Sequence, residues 1–326
     1  MMQKEMTQQP KGEFVSEFAP GTLWQQVLSR TEHAQRCGAI QPLPTEAHTI
    51  EQAGVQFLVR QVKNLVRKDQ AKAKQSRSPQ DKPVNPFLPH EENLFVTNLS
   101  ATHFCLLNKF NVIDHHLLLI TRSYEDQENL LTLADFAAAS VCLAEIEGLV
   151  FYNAGQAAGA SQPHKHLQLL PLPLTCTGPS LPITPLLETA IAQNQTAQTS
   201  MSSIAIGTIA EFSFHHAFVQ LRVDWQTDPL AAAQTMLTCY KALLQTVGIQ
   251  GVGAQQRQSA PYNLLMTRDW MLLVPRSQAS SRSIAVNSVG FAGMLLVRTE
   301  QQMQIIQDCG PLTVLAEVAL PIAATS

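Results

Sequence analysis

At 326 residues, 45% hydrophobic and 14% charged, the chain is long enough to bury a sizeable core as one large or two modest domains, and this composition excludes disorder throughout. A net charge of -3 supplies no broad basic face, so no nucleic-acid partner is expected. No apolar signal region opens the chain and no window has the apolar length of a membrane span, so a cytoplasmic protein without a membrane partner is expected. The six cysteines (Cys37, Cys105, Cys142, Cys176, Cys239, Cys309) contain no Cys-x-x-Cys pair, which argues for reduced, buried thiols over a zinc ribbon.

Residues 1 to 20 are polar. From Thr22 the apolar positions Leu23, Trp24, Val27 and Leu28 have helical spacing and predict a helix to about Cys37, with Gly38 as its stop. Val55 to Val62 alternates as a strand and runs into Lys63, Arg67 and Lys68, whose plainest reading is a solvated basic face. Residues 69 to 92, with Pro79, Pro83, Pro86 and Pro89, predict a loop. Leu94 to Val96, His103 to Leu107 and His115 to Thr121 predict the strands of a meander. Within it His115 and His116 follow Asp114, but neighbours on a strand face opposite sides, so a metal site is disfavoured and structural or surface roles are expected for both. Leu133 to Leu149 has helical periodicity, with Thr132 and Asp135 near its start and Gly148 near its end.

Val150 to Tyr152 then leads, as a strand, into the stretch with the densest chemistry. Asn153-Ala-Gly155-Gln-Ala-Ala-Gly159-Ala160-Ser161-Gln162 is a run of small residues whose backbone N–H groups are suited to approach an anion, in the manner of a nest. Pro163 follows, then His164-Lys-His166-Leu-Gln168. On a strand, His164, His166 and Gln168 share one face while Lys165, Leu167 and Leu169 share the other.

Pro171 to Pro185 contains five prolines and divides the chain into segments 1–185 and 186–326. Pro185 to about Thr199 predicts a helix, and Ile209 to Val223, with the adjacent pair His215 and His216, a strand. Thr227-Asp228-Pro229 starts an amphipathic helix to Val247, Asp228 capping it. Tyr262 to Ser277 reads as two strands and a tight turn. The path from Asn263 to Arg276-Ser277 echoes that from Asn108 to Arg122-Ser123, a candidate duplication of a β-meander.

Histidine attacks phosphorus when it is neutral, with one ring nitrogen bare and the other nitrogen's proton held by an acceptor. A backbone carbonyl of the same strand can hold Nδ1–H and leave Nε2 free. His166, mid-strand, is the better nucleophile, His164 a supporting group, and Gln168 an amide donor to a phosphoryl oxygen. A neutral amide gives no proton to a leaving group, which favours transfer to a second acceptor over hydrolysis. His-x-His also occurs as a structural pair or a weak metal site, but no carboxylate lies within ten residues on either side of this one.

The segment Phe151 to Gln168 resembles closely the active-site segment of the diadenosine tetraphosphate phosphorylases, or ATP adenylyltransferases, a transferase branch of the histidine-triad superfamily related to galactose-1-phosphate uridylyltransferase. The likeness extends to Leu107-Asn-Lys-Phe110, Tyr262 to Thr267, Trp270 to Ser277, Asn287 to Met294 and Gly310-Pro-Leu312. It implies an α+β fold, a histidine-triad-like antiparallel sheet with flanking helices. It implies phosphorolysis of the dinucleotide to ADP and ATP through an adenylyl-histidine, with diadenosine polyphosphate, ATP, ADP and phosphate as partners. By position, His166 resembles the nucleophile and Gln168 the phosphoryl-oxygen ligand. Asn153, Gly159, Ala160, Ser161 and Gln162 match the phosphate-binding segment, and Lys68 the lysine after the first long strand. Asn263, Thr267, Arg268, Met271 and Arg276 fall in the nucleotide-contacting C-terminal part, and Leu94 to Asn98 near the adenine. The polyphosphate charge implies a divalent cation such as magnesium, held through substrate oxygens, and no organic cofactor. A related transferase of different specificity, such as a sugar-phosphate uridylyltransferase, and a nucleotide binder without turnover are the alternatives.

Overall fold

Short apolar strands need a covering layer on each face, and the chain supplies one on both sides of a large sheet. The structure, a computed structural model, describes residues 17–63, 85–197, 204–225 and 228–322. Helix α1 (Leu23–Arg36) is followed by Gly38 at φ 75° and then by the hairpin of β1 (Thr45–Gln52) and β2 (Val55–Val62). Arg67, Lys68 and most of the proline-containing loop lie outside the described residues. The meander follows as β3 (Phe95–Asn98), β4 (His103–Leu107) and β5 (Leu117–Thr121), then α2 (Leu133–Glu145), β6 (Gly148–Ala154) and β7 (His166–Pro171). Helix α2 is shorter than its periodicity predicts. Ile146 takes extended angles (φ -118°, ψ 120°), and Gly148 pairs with Pro171 as the first residue of β6 instead of ending the helix.

The second half begins with α3 (Thr184–Ala197), β8 (Ile206–Gly207) and β9 (Ala217–Gln220), so only the core of the strand expected over 209–223 is extended. Next come α4 (Pro229–Thr246), capped by the Asp228 carboxylate on the N–H groups of Leu230 and Ala231, and a ribbon of β10 (Gly251–Val252) and β11 (Arg257–Gln258). The hairpin β12 (Tyr262–Met266) and β13 (Trp270–Pro275) and the ribbon β14 (Ser280–Ser281) and β15 (Ile284–Ala285) follow. The described chain closes with α5 (Ser288–Phe291), β16 (Met294–Val297), α6 (Glu300–Cys309) and α7 (Pro311–Val318). No helix among the described residues is long and apolar enough to cross a membrane.

Nine strands form one sheet in the order β3-β4-β5-β7-β6-β12-β13-β9-β8, which crosses residue 185 without a break because β6 pairs antiparallel with β12. The sheet contains a repeat. In each half a strand, a helix and a hairpin succeed one another, and the second hairpin strand pairs with the first strand: β5, α2, β6, β7 and then β9, α4, β12, β13. This corrects the correspondence suggested by sequence. The echo set β5 against β13, whereas in the sheet β13 takes the place of β7 and β9 that of β5. Two apolar strands that each end in Arg-Ser look alike without being equivalent.

One face of the sheet packs on α1, α2 and α4 through Leu119, Val150, Leu167, Leu264 and Met271. Residues of the other face, including Phe151, Leu170 and Leu272, pack toward α3, α6, α7 and a small sheet in which β2 lies between β1 and β16. Lys165 fastens the histidine strand from the helical side. Its buried ammonium donates to Asp135 Oδ2 at 2.7 Å and Glu125 Oε2 at 3.1 Å, while His103 reaches Asp135 Oδ1 at 3.2 Å. Burial alone raises the pKa of Asp135, but the hydrogen bonds and charge of His103 and Lys165 hold it well below the usual carboxylate range.

Candidate active site

The face of β7 opposite Lys165 carries the predicted constellation. His166 is 4% exposed, and its Nδ1–H donates to the carbonyl oxygen of His164 at 2.7 Å. The other nitrogen, Nε2, has no partner among the described residues and must carry the ring's lone pair. Burial lowers the pKa of His166 to about 4, so the imidazole is neutral at physiological pH. Gln127 fixes the backbone beneath it: its Oε1 accepts from His166 N at 2.8 Å, and its Nε2 donates to His166 O and Asn153 O. The Phe87 ring stands edge-on to the imidazole at 5.1 Å.

His164 supports His166 by its carbonyl. Its own ring is fully buried and engaged, Nε2 with Thr121 O at 2.9 Å and Nδ1 with Asn85 Nδ2 at 3.0 Å. Gln168, half-buried on the same face as His166, meets His116 Nε2 with its Oε1 at 3.0 Å, and Asn108 Nδ2 lies 3.0 Å from His116 Nδ1. His115 and His116 diverge, but in the turn just before β5 and not on the strand that the sequence predicts from His115. His115, at φ 56°, turns to Thr31 and Trp24 of α1, whereas His116 belongs to the site. The expectation of a structural or surface role therefore fails for His116.

A cavity of about 390 Å³ opens between the large and small sheets, lined among others by Gln168, His116, Asn153, Gly159, Ser161 and Asn287. Arg60 of β2 and Arg298 also line it, and Arg60 Nε is a buried donor without a partner among the described residues. Neither arginine was singled out from sequence. The small-residue run is not an open nest. Ala158 N and Ala160 N donate to Gly155 O, and Gly159 N donates to Gln156 O, so these amides turn inward. What small size provides is proximity: Gly159 has φ 92°, and a Cβ there would lie 2.8 Å from Val286 O. Ala160 and Gln162 line a second cavity with Asp126, Glu128 and Arg257, and among the residues lining these two cavities only Ser161 is common to both.

Beneath the loop lies a polar network joining the two halves. Asn153 Oδ1 accepts from Asn263 Nδ2 at 2.9 Å and from Ser288 N and Oγ at 2.9 and 2.8 Å, and Asn263 also donates to Ala158 O at 2.8 Å. Arg276, 1% exposed, donates to Asn263 Oδ1, Ala158 O, Val318 O, Gln278 O and Val286 O. Burial lowers its pKa to about 10 and leaves it cationic. Asn263 and Arg276 thus support the loop from below and line neither cavity. Three other expected contacts are not brought to the site. Met271 faces the helical core because residues of opposite parity on β13 point to opposite faces. Thr267 lies in the β12–β13 turn, roughly 13 Å along the strand from Asn263. Arg268 donates to Leu143 O at 2.6 Å and Ala144 O at 3.1 Å, closing the end of α2.

A neutral imidazole with a bare nitrogen, an amide donor two residues on and a glycine-bounded loop before the strand is equipment for attack on a phosphoryl group. The Ap4A phosphorylase N-terminal domain family matches residues 13–189, and the ATP adenylyltransferase C-terminal domain family matches residues 210–321. The chain belongs to the Ap4A phosphorylase family. Diadenosine 5',5'''-P1,P4-tetraphosphate phosphorylase 2 of Saccharomyces cerevisiae is 27% identical to it over 266 residues, 72% of this chain and 74% of the yeast protein. Protein APA1 of the same yeast is 30% identical over 223 residues, 62% of this chain and 64% of its own. The crystal structure of yeast Ap4A phosphorylase Apa2 superposes with a TM-score of 0.71 at 24% identity, over 93% of this chain and 96% of that one. Its complex with Ap4A gives 0.69 at 24% identity, over 93% and 98%. The α+β, histidine-triad-like fold implied by the motifs is the one observed.

Proposed function

We propose that the protein catalyses phosphorolysis of diadenosine tetraphosphate to ATP and ADP by double displacement. The observation that carries this reading is the 2.7 Å hydrogen bond from His166 Nδ1–H to His164 O, which leaves Nε2 as a bare nucleophile on a buried, neutral ring. Nε2 attacks the phosphorus of an adenylyl group, the N–P bond forms, and the anhydride P–O bond to ATP breaks. An oxygen of hydrogenphosphate then attacks the same phosphorus, breaks the N–P bond and releases ADP, while its proton passes to solvent. ATP leaves as an anion and needs no proton, so the neutral Gln168 is sufficient where an acid would be superfluous. Its amide steadies a phosphoryl oxygen through both steps.

The polyphosphate is assigned to the cavity lined by Asn153, Gly159, Ser161, Arg60 and Arg298. Among the described residues no three His, Cys, Asp or Glu side chains are grouped to hold a metal ion, so magnesium is proposed to enter bound to the polyphosphate as part of the substrate. Incubation with diadenosine tetraphosphate should yield ATP and ADP when phosphate is present. Without phosphate it should yield one ATP per site and an acid-labile AMP label on the protein. Absence of both products and label would overturn the proposal.

A further inference from the structure

Gln168 can act as a donor only if its amide faces the right way, and the residues behind it decide that. An amide presents Oε1 on one side and Nε2 on the other, with nearly the same shape. Reversed, Gln168 would turn an oxygen toward a phosphoryl oxygen and repel it. We propose that Asn108 and His116 are positioning residues that set the polarity of Gln168 through a directional hydrogen-bond relay.

The relay starts on a group that has no choice. Phe110 N–H donates to Asn108 Oδ1 at 3.3 Å, and a backbone N–H can only donate. Asn108 therefore presents Nδ2 to His116 Nδ1, 3.0 Å away, and Nδ1 accepts. Burial lowers the pKa of His116 to about 4, with the neighbouring His166 acting in the same direction, so the ring is neutral and has one proton. That proton sits on Nε2 and is donated to Gln168 Oε1 at 3.0 Å. The Gln168 Nε2 group, without a partner among the described residues, is left for a ligand in the cavity that Gln168 lines. The backbone also fixes the spacing, since Asn108 N donates to His116 O at 2.7 Å across the mouth of the β4–β5 hairpin. His116 and His166, both neutral, thus hold opposite tautomers: Nε2–H in the first, Nδ1–H in the second.

This inference rests on the role proposed for Gln168, and Asn108→Asp separates the two. The carboxylate still accepts from Phe110 N–H, but its second oxygen can only accept as well. At a pH well above neutral the His116 proton must then move to Nδ1, and Nε2 becomes an acceptor that turns the Gln168 amide round. 15N shifts, which distinguish protonated from bare ring nitrogens, should place the His116 proton on Nε2 in the parent and on Nδ1 in the variant. kcat at saturating substrate should fall by about 10–100-fold, as for loss of an outer-shell partner, apart from any rise in KM caused by the new carboxylate in the cavity that Asn108 lines. On a Gln168→Ala background, itself slower by about 10²–10³-fold, Asn108→Asp should cost almost nothing further. A parent proton on Nδ1, or an equal loss on both backgrounds, would overturn the relay. If Gln168→Ala leaves kcat intact, the role of Gln168 fails instead, and the ring spectra still judge the polarity.

Discussion

The two units of the large sheet share a topology and differ in how completely their polar groups are satisfied. Just before β5 stands the pair His115-His116, and just before β9 the pair His215-His216. His116 looks across to Gln168, whose amide nitrogen remains unpartnered among the described residues. His216 is closed on both sides: Nδ1–H donates to Phe214 O at 2.7 Å, Nε2 accepts from Ile209 N–H at 2.7 Å, and the Phe212 and Phe214 rings pack against it. The hairpin strands continue the contrast. Where β7 begins with His166 and Gln168, β13 begins with Trp270 and Leu272, which are 5% and 0% exposed in an apolar core. A scaffold built twice has been filled in one half and left chemically unsaturated in the other. Reactivity here means hydrogen-bonding capacity that the fold does not use.

The largest expected effect tests that division directly. His166→Ala should lower kcat by on the order of 10⁴-fold or more and abolish the trapped AMP, with folding unchanged by circular dichroism. Trp270→Phe, at the matching place in the other unit, should leave kcat close to the parent's. If both variants were equally inactive, the halves would not differ as described.

Arg276 comes next, because it ties the units together. Its five donors reach Ala158 O of the first half and Asn263, Val318, Gln278 and Val286 of the second, with no carboxylate among those partners. Lysine offers three donors from a single point and cannot span this set. Arg276→Lys should therefore lower the unfolding free energy by on the order of 3 kcal/mol, read from the denaturant midpoint. An unchanged midpoint would mean that the bracket beneath the loop contributes nothing to holding the halves together.

How much of this was legible depended on the sequence distance between partners. The His166 arrangement was readable because alternation fixes its face and its acceptor, His164 O, lies only two residues earlier, just before the strand begins. His116 was set aside on its adjacency to His115, and its partners, Asn108 across a hairpin and Gln168 52 residues on, are contacts that no local pattern reports. The Asn108 to Phe110 motif was visible, but its use was not. The segment 262–277 forms the two strands and turn that the sequence predicts, but Thr267, Arg268 and Met271 are not brought to the cavity. Parity on β13 sends Met271 to the helical side, and the direction of β12 puts Thr267 and Arg268 at the far end from the loop. The glycine-rich run announced close approach, but the aim of its N–H groups depends on backbone angles that residue size does not determine.

Acid provides the gentlest separation of the two units. Burial lowers the pKa of His116 and His166 from 6.5 to about 4, and lowers those of His164 and His216 as well. A histidine depressed in the folded state is neutral there while its unfolded counterpart takes up a proton below 6.5, so its contribution to stability is complete above that pH and is lost as pH falls toward the folded value. Each such group gives a slope of at most about 1.4 kcal/mol per pH unit below pH 6.5, which for His116 and His166 extends down to about pH 4. Replacing His216 by glutamine should flatten the stability profile in this window and leave turnover intact, because that ring serves only its own half. Replacing His116 by glutamine should flatten it too, but slow turnover as well, because the same ring orients Gln168. Urea midpoints measured across the window, beside the rate of ADP release at neutral pH, distinguish the two. If His216→Gln slows the reaction as much as His116→Gln, the second unit is not the inert partner that its saturated hydrogen bonds describe.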